Sequence, residues 1–270
     1  MLKIEEAAAI EIPGGTFRIP ASVEVRQASD GRYLPTCTGC VARDVGVCPG
    51  FGVKSEPETN RQRDPLPMPS QIQVFPARRP ILHPREETDF VPVICSGWAA
   101  SSVSLPNGRK QIVALLLAGE TASMNYLFES CSGRAVEAVS QVSCRKFRRS
   151  DLRDAVMKQA GAIAKLGRIF TEERERGDQM ILDLSRRSAE ARIARLITSL
   201  FERLRKKGQV RDNTIEFPLR QQQLADATGL TAVHVCKILS RFRVSGLVRL
   251  EGRRLTLLNQ KGLQELVEWH

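Results

Sequence analysis

An α+β chain is predicted, and three patterns carry the prediction. Short β-rich runs occupy residues 81–147, an apolar face recurs at three- and four-residue steps from Ile163 to Leu184, and the last third reads helix, glycine turn, helix and hairpin. The 270 residues divide accordingly. Residues 1–80 form an N-terminal segment with a cysteine loop and a proline-rich linker, 81–150 a β-roll, 151–186 a long helix, and 187–270 a winged helix-turn-helix. A chain of this length buries more than one core without disulfide staples.

Residues 1–36 show no clear period. The loop C-T-G-C-V-A-R-D-V-G-V-C follows, with Cys37, Cys40 and Cys48, and then residues 49–80 hold seven of the 14 prolines, a linker-like composition. Runs at 91–94, 103–105, 112–117 and 135–142, punctuated by Gly97, Pro106-Asn107-Gly108, Gly119 and Gly133, predict a compact all-β roll or barrel. In the long helix, Ile163, Leu166, Phe170, Gly177, Ile181 and Leu184 fall near one face, interrupted by the polar stretch 172–176. That seam is a candidate homodimer interface, with packing against the chain's own β domain as the alternative. Residues 219–227 read as a short helix, Thr228-Gly229-Leu230 as the turn, Thr231 as N-cap of a second helix closed by Gly246, and 247–258 as a hairpin wing. Leu224, Ala225, Leu230, Val235, Ile238 and Leu239 lock the two helices, leaving Val233, His234, Cys236, Lys237 and Arg241 to face outward.

The formal charge is +11, and it is concentrated. From Arg186 to Arg254 there are 16 Lys and Arg against 6 Asp and Glu, a net of +10, so a polyanionic partner such as double-stranded DNA belongs in the C-terminal third. An odd number of cysteines, seven, without the density of a secreted scaffold, points to a reducing cytoplasm. The apolar run at 112–118 is too short to cross a bilayer, and residues 1–12 carry acidic residues with no apolar signal core, so no membrane association is expected. An enzyme has little support. Three histidines, His83, His234 and His270, form no HExxH, and the sequence from Gly50 to Ser55 misses the adjacent G-K-[ST] of a phosphate-binding loop.

Cys37, Cys40 and Cys48 are soft ligands brought together by a CxxC turn and a short glycine-bearing loop, the pattern of an iron–sulfur or zinc site. A closed four-thiolate site needs a fourth from elsewhere. Cys95 sits in an apolar run, Cys131 in a loop, Cys144 at the end of the β region just before the long helix, and Cys236 on the second helix of the helix-turn-helix. The spacing lacks the second close cysteine pair typical of zinc ribbons.

A β-roll, a long helix and a winged helix-turn-helix in this order resemble the CRP/FNR family of bacterial transcription regulators. The resemblance runs from about residue 81 to the C-terminus through R-R-P-I-L-H, S-G-W-A-A-S-S-V-S-L-P-N-G-R-K-Q-I-V-A-L-L-L-A-G-E, G-D-Q-M-I-L-D-L-S-R-R-S-A-E-A-R-I-A-R-L-I and L-A-D-A-T-G-L-T-A-V-H-V-C-K-I-L-S-R-F. The cysteine loop is similar to that of the FNR-type oxygen sensors of alphaproteobacteria. What the resemblance implies is a cyclic-nucleotide-binding-like roll, a [4Fe-4S] cluster on Cys37, Cys40, Cys48 and Cys144, and a homodimer that binds a palindromic operator and works with RNA polymerase, activating transcription at low oxygen. Thr231, Val233, His234, Cys236, Lys237 and Arg241 are then the expected DNA-contacting set. This chain departs from the FNR reading set of Glu, Ser and Arg, holding Val233, Cys236 and Lys237 there, which puts the usual half-site in doubt. The alternatives within the fold are a zinc-stabilised regulator and a cyclic-nucleotide-responsive one. For the latter, Gly119-Glu120 and Gly133-Arg134-Ala135 echo a G-E … R-[ST]-A pattern, in which glutamate grips ribose and arginine the cyclic phosphate.

Overall fold

Alternating and fully apolar runs between residues 70 and 148 build two antiparallel sheets that share one core. The computed structural model describes residues 70–158 and 161–268, Cys48, and the strands β1 (Ala9–Ile12), β2 (Gly15–Arg18), β3 (Val25–Gln27) and β4 (Tyr33–Pro35), which pair as two hairpins. Cys37 and Cys40 lie outside the described residues. One sheet of the roll contains β5 (Ser70–Phe75), β11 (Val142–Arg148) and β7 (Phe90–Ser96), in that order. The other is ordered β6 (Pro80–Leu82), β10 (Ala135–Ala138), β8 (Ala99–Ser104), β9 (Lys110–Leu116). Gly97 turns the chain between β7 and β8 at φ +81°, where an added Cβ would lie 1.9 Å from the Gln141 carbonyl oxygen. Only glycine fits there.

The roll starts earlier than the sequence pattern indicates, because Ser70–Phe75, inside the proline-rich stretch, is a strand paired along its whole length with β11. Its prolines fall outside the ladder, Pro69 before it and Pro76 after it, where no amide is needed for pairing. The single run expected at 135–142 is two strands of different sheets, β10 and β11, with Val139 to Gln141 crossing between them. Cys144 consequently sits inside a strand that continues to Arg148, not at the end of the β region.

β11 passes directly into α1 (Arg149–Lys158), and Gly161 at φ +79° precedes α2 (Ala162–Arg186), so the helical region is two helices. Leu152 and Val156 of α1 and Ala162 and Leu166 of α2 complete the roll's core. Arg149 and Arg153 clamp a 3-10 turn, Met124–Leu127: Arg149 Nε donates to the Tyr126 carbonyl at 2.9 Å and Arg153 Nε to the Leu127 carbonyl at 2.8 Å.

The C-terminal domain opens with Ser188, whose hydroxyl accepts from the Ala191 amide and caps α3 (Ala189–Lys206). β12 (Thr214–Glu216), α4 (Gln221–Thr228), α5 (Ala232–Val244), β13 (Val248–Glu251), β14 (Arg254–Leu257) and α6 (Gln260–Glu268) follow. β12, β14 and β13 form a three-stranded sheet, one strand more than the expected hairpin. The domain's core is continuous with the outer face of the roll: Trp98, Ile112, Leu115 and Leu117 belong to the same apolar cluster as Ile197, Phe201, Phe217 and Leu224. Trp98 meets Phe217 edge to face, with ring centroids 6.4 Å apart.

Candidate functional site

Two cysteines lie on adjacent strands of the roll, and a third packs against its core. Cys144 pairs with Gln73 on β5 and Ile94 on β7 and is fully buried in the core. Between Ser143 and Cys144 the register with β7 slips, which makes Cys95 the extra residue of a bulge, half-buried beside Cys144. Cys48 is half-buried and packs against the same core. Burial pushes the Cys144 thiol up to about 12, with Cys95 adding to the rise and Lys146 and the Val93 backbone opposing it. Such a thiol stays protonated at neutral pH unless a metal compensates the charge, so metal binding here must expel a proton. Cys131 and Cys236 are exposed, the latter on α5 in the other domain. Among the described residues, no three His, Cys, Asp or Glu side chains form a metal-holding group. With Cys37 and Cys40 outside those residues, what bears on the fit is the donor chemistry: Cys144 and Cys95 on adjacent strands and Cys48 against the same core are thiols, the donors a soft metal prefers.

Glu120 and Arg134 do not converge. Burial alone would raise the Glu120 carboxyl, but Arg203 and Lys207 outweigh it and hold it down to about 2. Arg203 donates to Glu120 at 2.5 Å and to the Leu115 carbonyl at 2.6 Å; Lys207 Nζ donates to Glu120 at 2.8 Å and to the Ala118 carbonyl at 2.7 Å. Burial pushes Lys207 down from its ordinary value while Glu120 opposes the fall. The contacts made by Arg203 Nη2 and Lys207 Nζ favour the ionised triad, although Arg203 Nε is buried without a partner. Glu120 thus faces the C-terminal domain, whereas Arg134 pairs with Glu173 of α2 at 3.5 Å. Both residues of the cyclic-nucleotide echo are taken by partners from this chain.

In the C-terminal domain, Gly229 ends α4 at φ +67° and Thr231 caps α5, its hydroxyl accepting from the His234 amide at 3.2 Å. Val235, Ile238, Leu239 and Phe242 are buried, which turns Val233, His234, Cys236, Lys237 and Arg241 outward. Val233 is 68% exposed, a high value for an aliphatic residue on a helix with a well-packed inner face. Arg241 reaches Glu190 at 2.6 Å yet keeps most of its surface in solvent. The wing adds exposed cations that the sequence reading did not single out, Arg249, Arg253 and Arg254. The signal for them was the arginine cluster around the glycine turn at Gly252.

Along α2 the proposed seam divides. Leu166 is 5% exposed in the roll's core and Phe170 packs against it and against Phe128, while Ile163 and Ile181 are 67% and 66% exposed and Gly177 is open. Leu184 is half-buried and approaches Gly229. The outward face therefore consists of Ile163, Gly177 and Ile181. No described helix is long and apolar enough to cross a membrane.

Residues 72–159 match the family model of the cyclic nucleotide-binding domain, and residues 191–266 that of the Crp-like helix-turn-helix domain. The chain is 26% identical to the transcriptional activator protein FnrL of Cereibacter sphaeroides over 67% of its length and 73% of that protein. It is 23% identical to the fumarate and nitrate reduction regulatory protein of Yersinia pestis, over 92% and 96% of the two chains. Among solved structures, FixK2 from Bradyrhizobium japonicum superposes with a TM-score of 0.67 at 23% identity, covering 74% of this chain and 98% of that one. With the nucleotide-binding-type roll followed by the Crp-like helix-turn-helix, the chain belongs to the CRP/FNR family of DNA-binding transcription regulators.

Proposed function

We propose that this regulator is a redox-responsive activator that binds DNA as a homodimer when a [4Fe-4S] cluster is held by Cys37, Cys40, Cys48 and Cys144. The observation that carries the reading is the place of Cys144: a fully buried thiol on the strand that runs into α1, in a core against which Cys48 packs. When bound, the cluster supplies an oxygen-labile cross-link between the N-terminal loop and β11. The chain's own residues do the rest. A fixed β11 fixes α1, whose Arg149 and Arg153 hold the Met124–Leu127 turn. The core that includes Leu152, Val156 and Leu166 then sets how α2 presents Ile163, Gly177 and Ile181 to a second copy. Without that tie, Cys144 would be a neutral buried thiol.

Two copies place two α5 helices in successive major grooves of a palindromic operator. Val233, His234, Cys236 and Lys237 face base edges; Thr231 fixes the helix start; Arg241 and the wing arginines meet phosphates and give the salt dependence. RNA polymerase is the partner expected of an activator, and the cytoplasm its compartment. The names of the FnrL and fumarate and nitrate reduction relatives support the oxygen-linked reading. The engagement of Glu120 by Arg203 and Lys207 and of Arg134 by Glu173 weighs against cyclic-nucleotide control.

The test is operator binding followed by fluorescence anisotropy with the full chain purified without oxygen, before and after exposure to air. Binding lost on air exposure together with dissociation to monomers is the expected result. Equal binding in both states, or binding restored only by added cyclic nucleotide, contradicts the proposal.

A further inference from the structure

Glu173 lies in the middle of the polar stretch that interrupts the apolar face of α2, yet it is not a solvated charge. Its side chain is 27% exposed, and its carboxylate takes three donors from the roll. The Ser123 hydroxyl donates to Oε1 at 3.0 Å, the Met124 amide to Oε2 at 3.1 Å, and the Arg134 guanidinium to Oε1 at 3.5 Å. Ser123 and Met124 are buried, at 3% and 1% exposure, so removing the carboxylate takes the acceptor from two buried donors. The same 3-10 turn is gripped at its carbonyl end by Arg149 and Arg153 of α1. One short turn is thus clamped by α1 through its carbonyls and by α2 through its N–H side.

We infer that Glu173 is an internal ligand of the roll: its carboxylate occupies the recess between the Ser123–Leu127 turn and Arg134, and so fastens the middle of α2 in the pose that leaves Ile163, Gly177 and Ile181 outward. This rests on the dimer reading above only for its consequence, not for the contact itself. The inference also gives the polar interruption of the helix a function. Glu172, Arg174, Glu175 and Arg176 are exposed, and Glu173 alone turns inward. Because the anion that satisfies Arg134 belongs to the chain, a diffusible phosphate-bearing effector has to displace it before it can bind.

The experiment uses the full chain and reads amide hydrogen exchange across α2, with dimerisation measured separately by sedimentation. Glu173→Lys places a cation against Arg134 and should speed exchange of the α2 amides around residues 169–177 by about tenfold or more, an effect equivalent to about 1.4 kcal/mol of lost local protection. The charge-swapped double variant, Glu173→Lys with Arg134→Glu, should recover only the Arg134 share of that protection, because a lysine accepts from neither the Ser123 hydroxyl nor the Met124 amide. Unaltered exchange in Glu173→Lys, or full recovery of protection in the swap, would each overturn the inference. A chain that never dimerises while showing the expected exchange pattern would contradict the dimer reading and leave the internal ligand standing.

Discussion

Replacing Glu120 with glutamine keeps the shape of the side chain and removes the one anion shared by Arg203 and Lys207. The magnitude follows from the triad itself. A carboxyl held at about 2 against an ordinary 4.5, with only 19% of its side chain exposed, contributes about 3 kcal/mol to folding at neutral pH. The folded value lies below the unfolded one, so this contribution is complete above pH 4.5 and is lost as the pH falls from there towards 2. In Glu120→Gln the two cations, both taken from water, face one another without a counter-charge, which costs about 3–5 kcal/mol in buried pairs of this kind. Urea unfolding of the full chain at pH 7 should show a loss of about 3 kcal/mol, and the gap between wild type and variant should narrow below pH 4.5. Lys207→Met in the Glu120→Gln background should recover part of the loss, with a coupling of about 1–3 kcal/mol. A loss under about 0.5 kcal/mol with no dependence on pH would refute the reasoning, because it would mean that the roll and the C-terminal domain are not joined through this carboxylate.

Further outcomes test the two sites. Thr231→Ala removes the cap of α5 and should cost about 1 kcal/mol by denaturant unfolding, with weaker operator binding as a consequence. Lys237→Ala should relax base preference at one operator position; unchanged preference with a fall of about 1 in the slope of log affinity against log salt, in titrations at several salt concentrations, would place the lysine on a phosphate instead. Gly229→Ala forces a side chain to φ +67° and sets its Cβ 2.9 Å from Leu184 Cδ2, so a stability loss of more than about 1 kcal/mol is expected. Cys144→Ala should fold, since it trims one small buried side chain, but should carry little iron when purified without oxygen; a full complement would show that Cys95 or another thiol supplies the fourth ligand.

The helix-turn-helix was legible because its determinants are local: Gly229 for the turn, Thr231 for the cap, and apolar residues at Leu224, Val235 and Ile238 in helical register. The inner strands of the roll were legible for the same reason. β5 was hidden, since the prolines around it raise the turn signal and its pairing partner, β11, lies some seventy residues on. Periodicity found the apolar face of α2 but could not say that Leu166 would be claimed by the roll while Ile163 and Ile181 stay outside. Glu120 was noticed as part of a motif, yet its partners are 83 and 87 positions away, and no local pattern in the chain announces an ion pair across that distance. The cysteines were recognisable by spacing at the N-terminal loop. The burial that makes Cys144 a neutral thiol needed the fold.

The most direct measurement is the iron, acid-labile sulfide and zinc content of the full chain purified without oxygen, with its absorption spectrum. About four iron and four sulfide per chain are expected, with broad visible absorption that bleaches in air. Zinc without sulfide, or no metal in a protein that still binds its operator, would contradict the cluster proposal.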